Sequence, residues 1–226
     1  MSNASTSKLL YKCFIVIISN ALMGLGSGLL RLTSFGVDPF SGMTLGTSYF
    51  LQGILHLEFM TCGVFQASIN MLLLIVVIAC NRKYIGFGMV FNMFFLGFIC
   101  DGSERLGLLF FTPPLPLPLR LLLLVVCIIL IAMGVGVYSA ANMGMGPYDA
   151  LAYIISEKSN HRFHVRYTRM ATDILCVVLA VAAAFPLGKQ ATVAGVATII
   201  MAFGLGPLNY FFRVHLGENL LLKNVR

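Results

Sequence analysis

The chain has 226 residues, of which 59% are hydrophobic and only 10% charged, and its mean hydropathy is +0.93. Soluble domains carry about 45–50% apolar and about 25% charged residues, so a soluble globular fold is excluded and a polytopic membrane protein is indicated. The net charge of +7 does not point to nucleic acid, because the basic residues gather between apolar runs, at 82–83, 158–169 and 213–226, where they read as topology signals and headgroup anchors.

From the N-terminus, a polar start with Lys8 and Lys12 leads into an apolar stretch reaching about residue 31. That stretch outruns the ~7–15 apolar residues of a signal peptide and lacks a clear cleavage site, so it reads as a retained first span. Further windows near the ~20 residues needed to cross a bilayer fall at 60–80, 84–100, 119–141, 168–186 and 191–212. Two more segments, 39–56 and 147–157, are helical in composition but shorter or more polar. The expected fold is therefore all-α, a polytopic membrane helical bundle with six full spans plus two half-helices, or with eight spans.

Each short segment follows a glycine/proline break. In the first, "SFGVDPFSG", Pro39 suits the first helical position and Asp38 the N-cap, where a carboxylate accepts from free amides. Next comes "TPPLPLPLR", whose alternating prolines disfavour a helix, so residues 112–118 read as a linker between halves 1–111 and 119–226. In the second break, "ANMGMGPYDAL", the cap position falls to Gly146, and Asp149 sits at the third helical position, where an acid complements the positive helix end.

The halves align without gaps over the breaks. Gly26 and Gly28 match Gly134 and Gly136, Gly36 matches Gly144, Pro39 matches Pro147 and Phe40 matches Tyr148, all 108 positions apart. An internal duplication is expected, each copy running long helix, Gly/Pro break, short helix and two long helices, as in transporters with internal repeats. Charge does not decide between parallel and inverted halves. With the N-terminus cytoplasmic, eight spans leave Arg31, Arg82, Lys83 and Lys189 outside, and six leave Arg31, Arg105, Arg120 and Lys189, four of fifteen basic residues in either case.

Interrupted backbone within hydrocarbon is tolerated where it is buried in protein or lines an aqueous cavity, so both breaks are candidate binding regions. The candidate site comprises Asp38, Pro39, Asn142, Gly144, Gly146, Pro147, Tyr148, Asp149 and Asp173. Its aspartates read either as helix caps or as a paired site for a cation, a proton or a polar substrate. Bare helix N-termini would invite an anion, but each of these carries its own carboxylate, which disfavours anions unless a basic residue such as Arg31 compensates. Other polar groups expected inside the membrane are Asn20, Gln66, Asn70, Asn92 and Asn209, and Arg169 stands one helical turn before Asp173, where the two can pair.

Six cysteines without Cys-x-x-Cys spacing suggest neither zinc nor a disulfide framework. His161 and His164 lack further ligands nearby and fit an exposed basic loop on anionic lipid. With no catalytic triad, His-Glu-x-x-His motif or phosphate-binding loop in the sequence, an enzyme is not expected, nor is a metal or cofactor.

The segments "GVDPFSGMTLG", "GMGPYDAL", "VRYTRMATDI" and "GVATIIMAFGLGPL" together resemble the YczE-like and YitT family of bacterial multipass membrane proteins, over about residues 10–215. The Gly-x-Gly-Pro-aromatic-Asp motif stands complete as Gly144, Gly146, Pro147, Tyr148 and Asp149. The first copy has Asp38 in place of the second glycine and Ser41 in place of the aspartate. The resemblance implies a bacterial plasma membrane location and a duplicated helical fold, but no substrate. The functional expectation is a small-molecule or ion transporter with its site at the paired breaks. The alternative is a non-transporting scaffold or accessory subunit that recruits a partner protein through the basic loop at 157–169.

Overall fold

The computed structural model describes residues 2–160, 162–163 and 165–225, all-helical with short connections, so the expected loop histidines His161 and His164 lie outside the described residues. The helices are α1 (Ser2–Arg31), α2 (Pro39–Gly53), α3 (Cys62–Cys80), α4 (Phe87–Phe110), α5 (Leu117–Ala141), α6 (Pro147–Lys158), α7 (Val165–Ala184), α8 (Gln190–Val193), α9 (Val196–Phe212) and α10 (Glu218–Val225). A π-helical turn, Arg213–Gly217, joins the last two, beyond Pro207 inside α9.

Five stretches, Thr6–Arg31, Cys62–Cys80, Leu117–Ala141, Tyr167–Leu187 and Gln190–Leu221, are long and apolar enough to cross a membrane. The expected sixth, 84–100, is part of the longer α4, which has the length of a span at 24 residues but carries Asp101, Glu104 and Arg105 in its C-terminal half. Large apolar side chains such as Leu72, Ile75, Leu122, Val125, Ile174, Val178, Ile199 and Phe203 face outward. In water such faces would be untenable; in hydrocarbon they are solvated.

Helix directions follow from glycine contacts. On α1, Gly26 abuts Cys127 and Ile131 of α5, while Gly134 of α5 abuts Ser19 and Met23 of α1, so the two helices run antiparallel. Helix α4 runs parallel to α1, with Asn92 donating to Asn20 at 2.8 Å near one end and Gly107 against Leu29 and Leu32 near the other. Helix α3 opposes α4, since Gly63 lies against Gly97 and Asp101. Helix α2 opposes α3, since Thr44 meets Cys62 at 3.5 Å and Gln52 donates to Met60 O at 3.0 Å. After its break, α2 therefore resumes the direction of α1.

The same holds beyond the linker, where α6 precedes and opposes α7, and α2 packs parallel along α7 through Gly46 against Ala180 and Gly53 against Leu187. At ~1.5 Å per residue, the 15 residues of α2 span about 22 Å and the 12 of α6 about 18 Å, both short of the ~30 Å hydrocarbon core.

Contacts between the halves come in matched pairs. Ser19 and Cys127 are 108 positions apart, as are Met23 and Ile131, so the contacts of Gly26 and Gly134 are the same contact made in both directions. At the breaks, Phe35 O accepts from Ala197 N at 2.8 Å and Met143 O from Gly88 N at 2.7 Å. Gly36 (φ +89°) lies against Gly195 at the start of α9, and Gly144 (φ +98°) against Gly86 at the start of α4. Both glycines occupy the left-handed region, where a side chain is disfavoured, and a Cβ on either would meet backbone within 3 Å.

Candidate functional site

Two helix N-termini from different halves meet inside the bundle. Pro39 opens α2 and Pro147 opens α6, each at a position where the missing N–H costs no intrahelical bond. The following residues, Phe40 and Tyr148, stack on one another with ring centroids 4.5 Å apart and planes at 18°. Around this ring pair lies a cavity of about 1070 Å³.

All nine residues of the sequence-derived site line that cavity: Asp38, Pro39, Asn142, Gly144, Gly146, Pro147, Tyr148, Asp149 and Asp173. Their roles differ. Asp38 is the N-cap of α2, its Oδ2 accepting from Ser41 N at 3.0 Å. It forms no ion pair among the described residues. Asn142 terminates α5 in the left-handed conformation at φ 53°.

Asp149 stands in the first turn of α6, with Gly146 at the cap position. Its carboxylate is ion-paired with Arg169 of α7, and Gly146 caps α6 with no side-chain bond. Arg169 also reaches Asp173, with Nε 3.4 Å from Oδ1, so the expected pair on α7 exists but is shared. Tyr148 completes the group, donating to Asp173 Oδ1 at 2.6 Å beneath the Arg169 guanidinium, whose carbon lies 4.8 Å from the ring centre. A cation held over an aromatic face and between two carboxylates loses little by leaving bulk water.

Arg31, the expected compensator for anions, is not at the cavity. It donates to Asp101 at 2.8 Å, to Glu104 at 2.9 Å and to Cys62 Sγ at 3.2 Å, tying α1 to α3 and α4 at one end of the bundle. Its place at the cavity is taken by Arg169. The lining thus presents Asp38, Asp149 and Asp173 around Arg169, with Lys12, Lys83 and Arg213 farther out, so acids and bases are nearly balanced over the whole lining.

Four further lining residues each carry one polar atom that is itself buried away from the cavity. Gln66 Oε1, Asn70 Oδ1, Tyr138 OH and Asn209 Oδ1 lack a hydrogen-bond partner, and all four residues are part of the lining. Gln66 and Asn70 stand one turn apart on α3, as Arg169 and Asp173 do on α7. The sequence identified the three amides as polar groups in spans, but a tyrosine in an apolar helix gave no signal for Tyr138. Among the described residues no three metal-ligating side chains come together.

The cavity is one-sided. Its lining extends to Lys12, Lys83 and Arg213 at the end bearing the start of α1, and includes none of Arg31, Asp101, Glu104, Arg120 or Lys189 at the other. There Arg120 donates to Thr33 O at 2.6 Å and Thr198 to Val37 O at 2.7 Å, fastening both ends of the first break to the second half.

Neither a curated protein nor a solved structure matches the chain. One family model does, over residues 10–214, and so takes in every helix from the first apolar span to the π-helical turn. The chain belongs to that family, a family of unknown function (DUF6198).

Proposed function

We propose that the protein is a small-solute carrier of the bacterial plasma membrane rather than an enzyme. Two inverted halves, 1–111 and 119–226, joined by the linker 112–118, rock about the cavity at the paired breaks. The observation that carries this reading is the meeting of two half-helix N-termini, one from each half, inside a polar cavity that reaches only one end of the bundle. The direction of α2 supports six crossings, because an eight-span arrangement would need α2 to oppose α1. Contacts that repeat with the halves exchanged support a duplicated unit. The likeness to YczE-like and YitT proteins belongs to the same reading.

In this arrangement eleven of the fifteen basic residues, Lys12, Lys83 and Arg213 among them, fall on the N-terminal side, which is then cytoplasmic. The cavity faces that side, and the Arg31–Asp101–Glu104 cluster closes the other.

Purified protein in proteoliposomes, incubated with an isotope-labelled metabolite extract, should retain at least one solute above empty liposomes, and Asp149→Asn should abolish the retention. If no solute is retained by correctly oriented protein, the scaffold reading stands instead. For orientation, single cysteines replacing Lys83 and Arg105 should label from opposite sides, position 83 from the cytoplasm. Labelling with those sides exchanged would sink the inverted arrangement.

A further inference from the structure

We propose that the cavity takes an amphiphile of the bilayer, which enters sideways between α7 and α9 with its chain along α9 and its polar head toward Asp149, Arg169 and Asp173. The proposal rests on the carrier reading for its physiological sense, but the portal stands on its own observations.

The first is a difference between matching seams. Gly97 of α4 and Gly206 of α9 each stand eleven residues after the glycine that caps their helix, Gly86 and Gly195. Gly97 lies against Gly63 of α3, and one turn on, Asp101 accepts from Gly63 N at 2.7 Å, so the seam between α3 and α4 is shut. A Cβ on Gly206 would meet no atom of the described residues within 4 Å. The counterpart seam, between α7 and α9, is parted at this level. Arg169 and Asp173 of α7 line the cavity together with Ala202, Leu205 and Gly206 of α9, so the cavity lies in the gap.

The second is that nothing on α9 separates the cavity wall from the outer face. Ala202 and Gly206 are exposed and line the cavity. Ile199, three residues before Ala202, is exposed as well, and so are Phe203 and Tyr210, three before and four after Gly206. Residues three and four apart are neighbours on a helix surface, so one strip runs from cavity to hydrocarbon. On α7, Met170 is likewise exposed three residues before Asp173. An open slot between spans forfeits dispersion contacts, and a lipid chain restores them. The third is the contrast between walls. On α5 and α9 the lining is largely apolar, with Ile131, Val135, Met201, Ala202 and Leu205, whereas α6 and α7 bring Asp149, Arg169 and Asp173. A bare hydrocarbon chain would strand these charges, and a fully hydrated solute would leave the apolar wall wet; a molecule with both parts suits both walls.

The chain contains no tryptophan, so a single introduced one reports alone. Ala202→Trp marks the cavity side of the strip and Phe203→Trp its outer face, each in the full chain reconstituted into phosphatidylcholine vesicles. Two fluorescence quenchers of one chain length are added to the bilayer, ω-bromododecylphosphocholine and bromododecane. The phosphocholine head is chosen because charges of both signs line the cavity. At equal mole fraction, the ratio of quenching by the amphiphile to quenching by the alkane should be at least about threefold higher at Ala202→Trp than at Phe203→Trp. Leu205→Trp, a large-for-large change on the same wall, replaces Ala202→Trp should that variant not fold.

Equal ratios at the two positions would mean ordinary lipid contact, quenching of Ala202→Trp by aqueous acrylamide alone a closed and water-filled cavity, and no quenching at either position a protein cover over α9. Each of these overturns the proposal. The carrier reading fails separately. The expected ratio, with no movement of a fluorescent short-chain phosphatidylcholine between leaflets, would keep the portal and discard transport. A solute retained from the metabolite extract, with Ala202→Trp reached by acrylamide alone, would keep transport and discard the amphiphile.

Discussion

The two breaks share a backbone plan and differ in what they do with charge. At both, a left-handed glycine turns the chain against the first residues of a long helix from the other half, a proline opens a half-helix, and an aromatic ring follows. At the first, Asp38 caps its own helix and forms no ion pair among the described residues; at the second, the acid has moved past the proline and is paired across to Arg169 on α7. The difference teaches that the backbone geometry of the break does not depend on a side-chain cap. Gly146 holds α6 without one, so Asp149 is free to pair with Arg169 at the cavity.

The largest expected effect comes from attacking what the breaks share. Gly36→Val and Gly144→Val each force a β-branched residue into the left-handed region and against backbone, at a cost of about 2–4 kcal/mol apiece. Both should lower the thermal midpoint in detergent by similar amounts. A large effect at one glycine and none at the other would show that the breaks are not equivalent.

Next comes what distinguishes them. Arg169→Gln leaves Asp149 and Asp173 facing each other without a cation, and should cost about 1–3 kcal/mol, less than for a dry pair because all three side chains meet the cavity. Combining it with Asp149→Asn should recover part of the loss in a double-mutant cycle on the same thermal midpoint. Full additivity would reduce the trio to independent surface charges.

The smallest effect concerns the rim of the cavity at the end of α6. Glu157, at the end of α6, accepts from Tyr84 at 2.7 Å, Asn81 at 2.8 Å and Lys83 at 3.3 Å. The Tyr84 hydroxyl first, then Asn81 and Lys83, holds its carboxyl below the usual glutamate value of 4.5. A depressed value means stability that is present above the unfolded value and lost as pH falls through the folded one. Hydrogen exchange at 81–84 should therefore quicken selectively below about pH 4.5, and Glu157→Gln should remove that dependence. Exchange that stays flat over this range would exclude Glu157 as its cause.

Much of this was readable before any coordinates. Apolar windows located most of the long helices, because hydrocarbon imposes one composition on a whole span. Proline and glycine marked both breaks, because few residues tolerate those conformations. Pairing was harder to read. The sequence set Arg31 near the first break by position alone, whereas Asp101 and Glu104, about 70 residues later, draw it to the opposite end. Local rules account for an acid at Asp149 in the first turn of α6, but they do not reveal the full charge of Arg169 on α7 that pairs with it. The polar second half of α4 was cut from its expected span by the same composition rule that found the others. Its acids are half-buried and paired with the buried Arg31, which a hydropathy window does not register.

The Phe40–Tyr148 stack has a mechanical consequence. Its rings come from matching positions on either side of the contact between the halves, so it sits where a rotation exchanging them would have its axis. In a rocking carrier that point is the fulcrum. The rings would slide face over face by a small amount while Lys83 and Arg105, near opposite ends of the first half, sweep larger distances. The substrate's resting place would then be the part of the molecule that travels least.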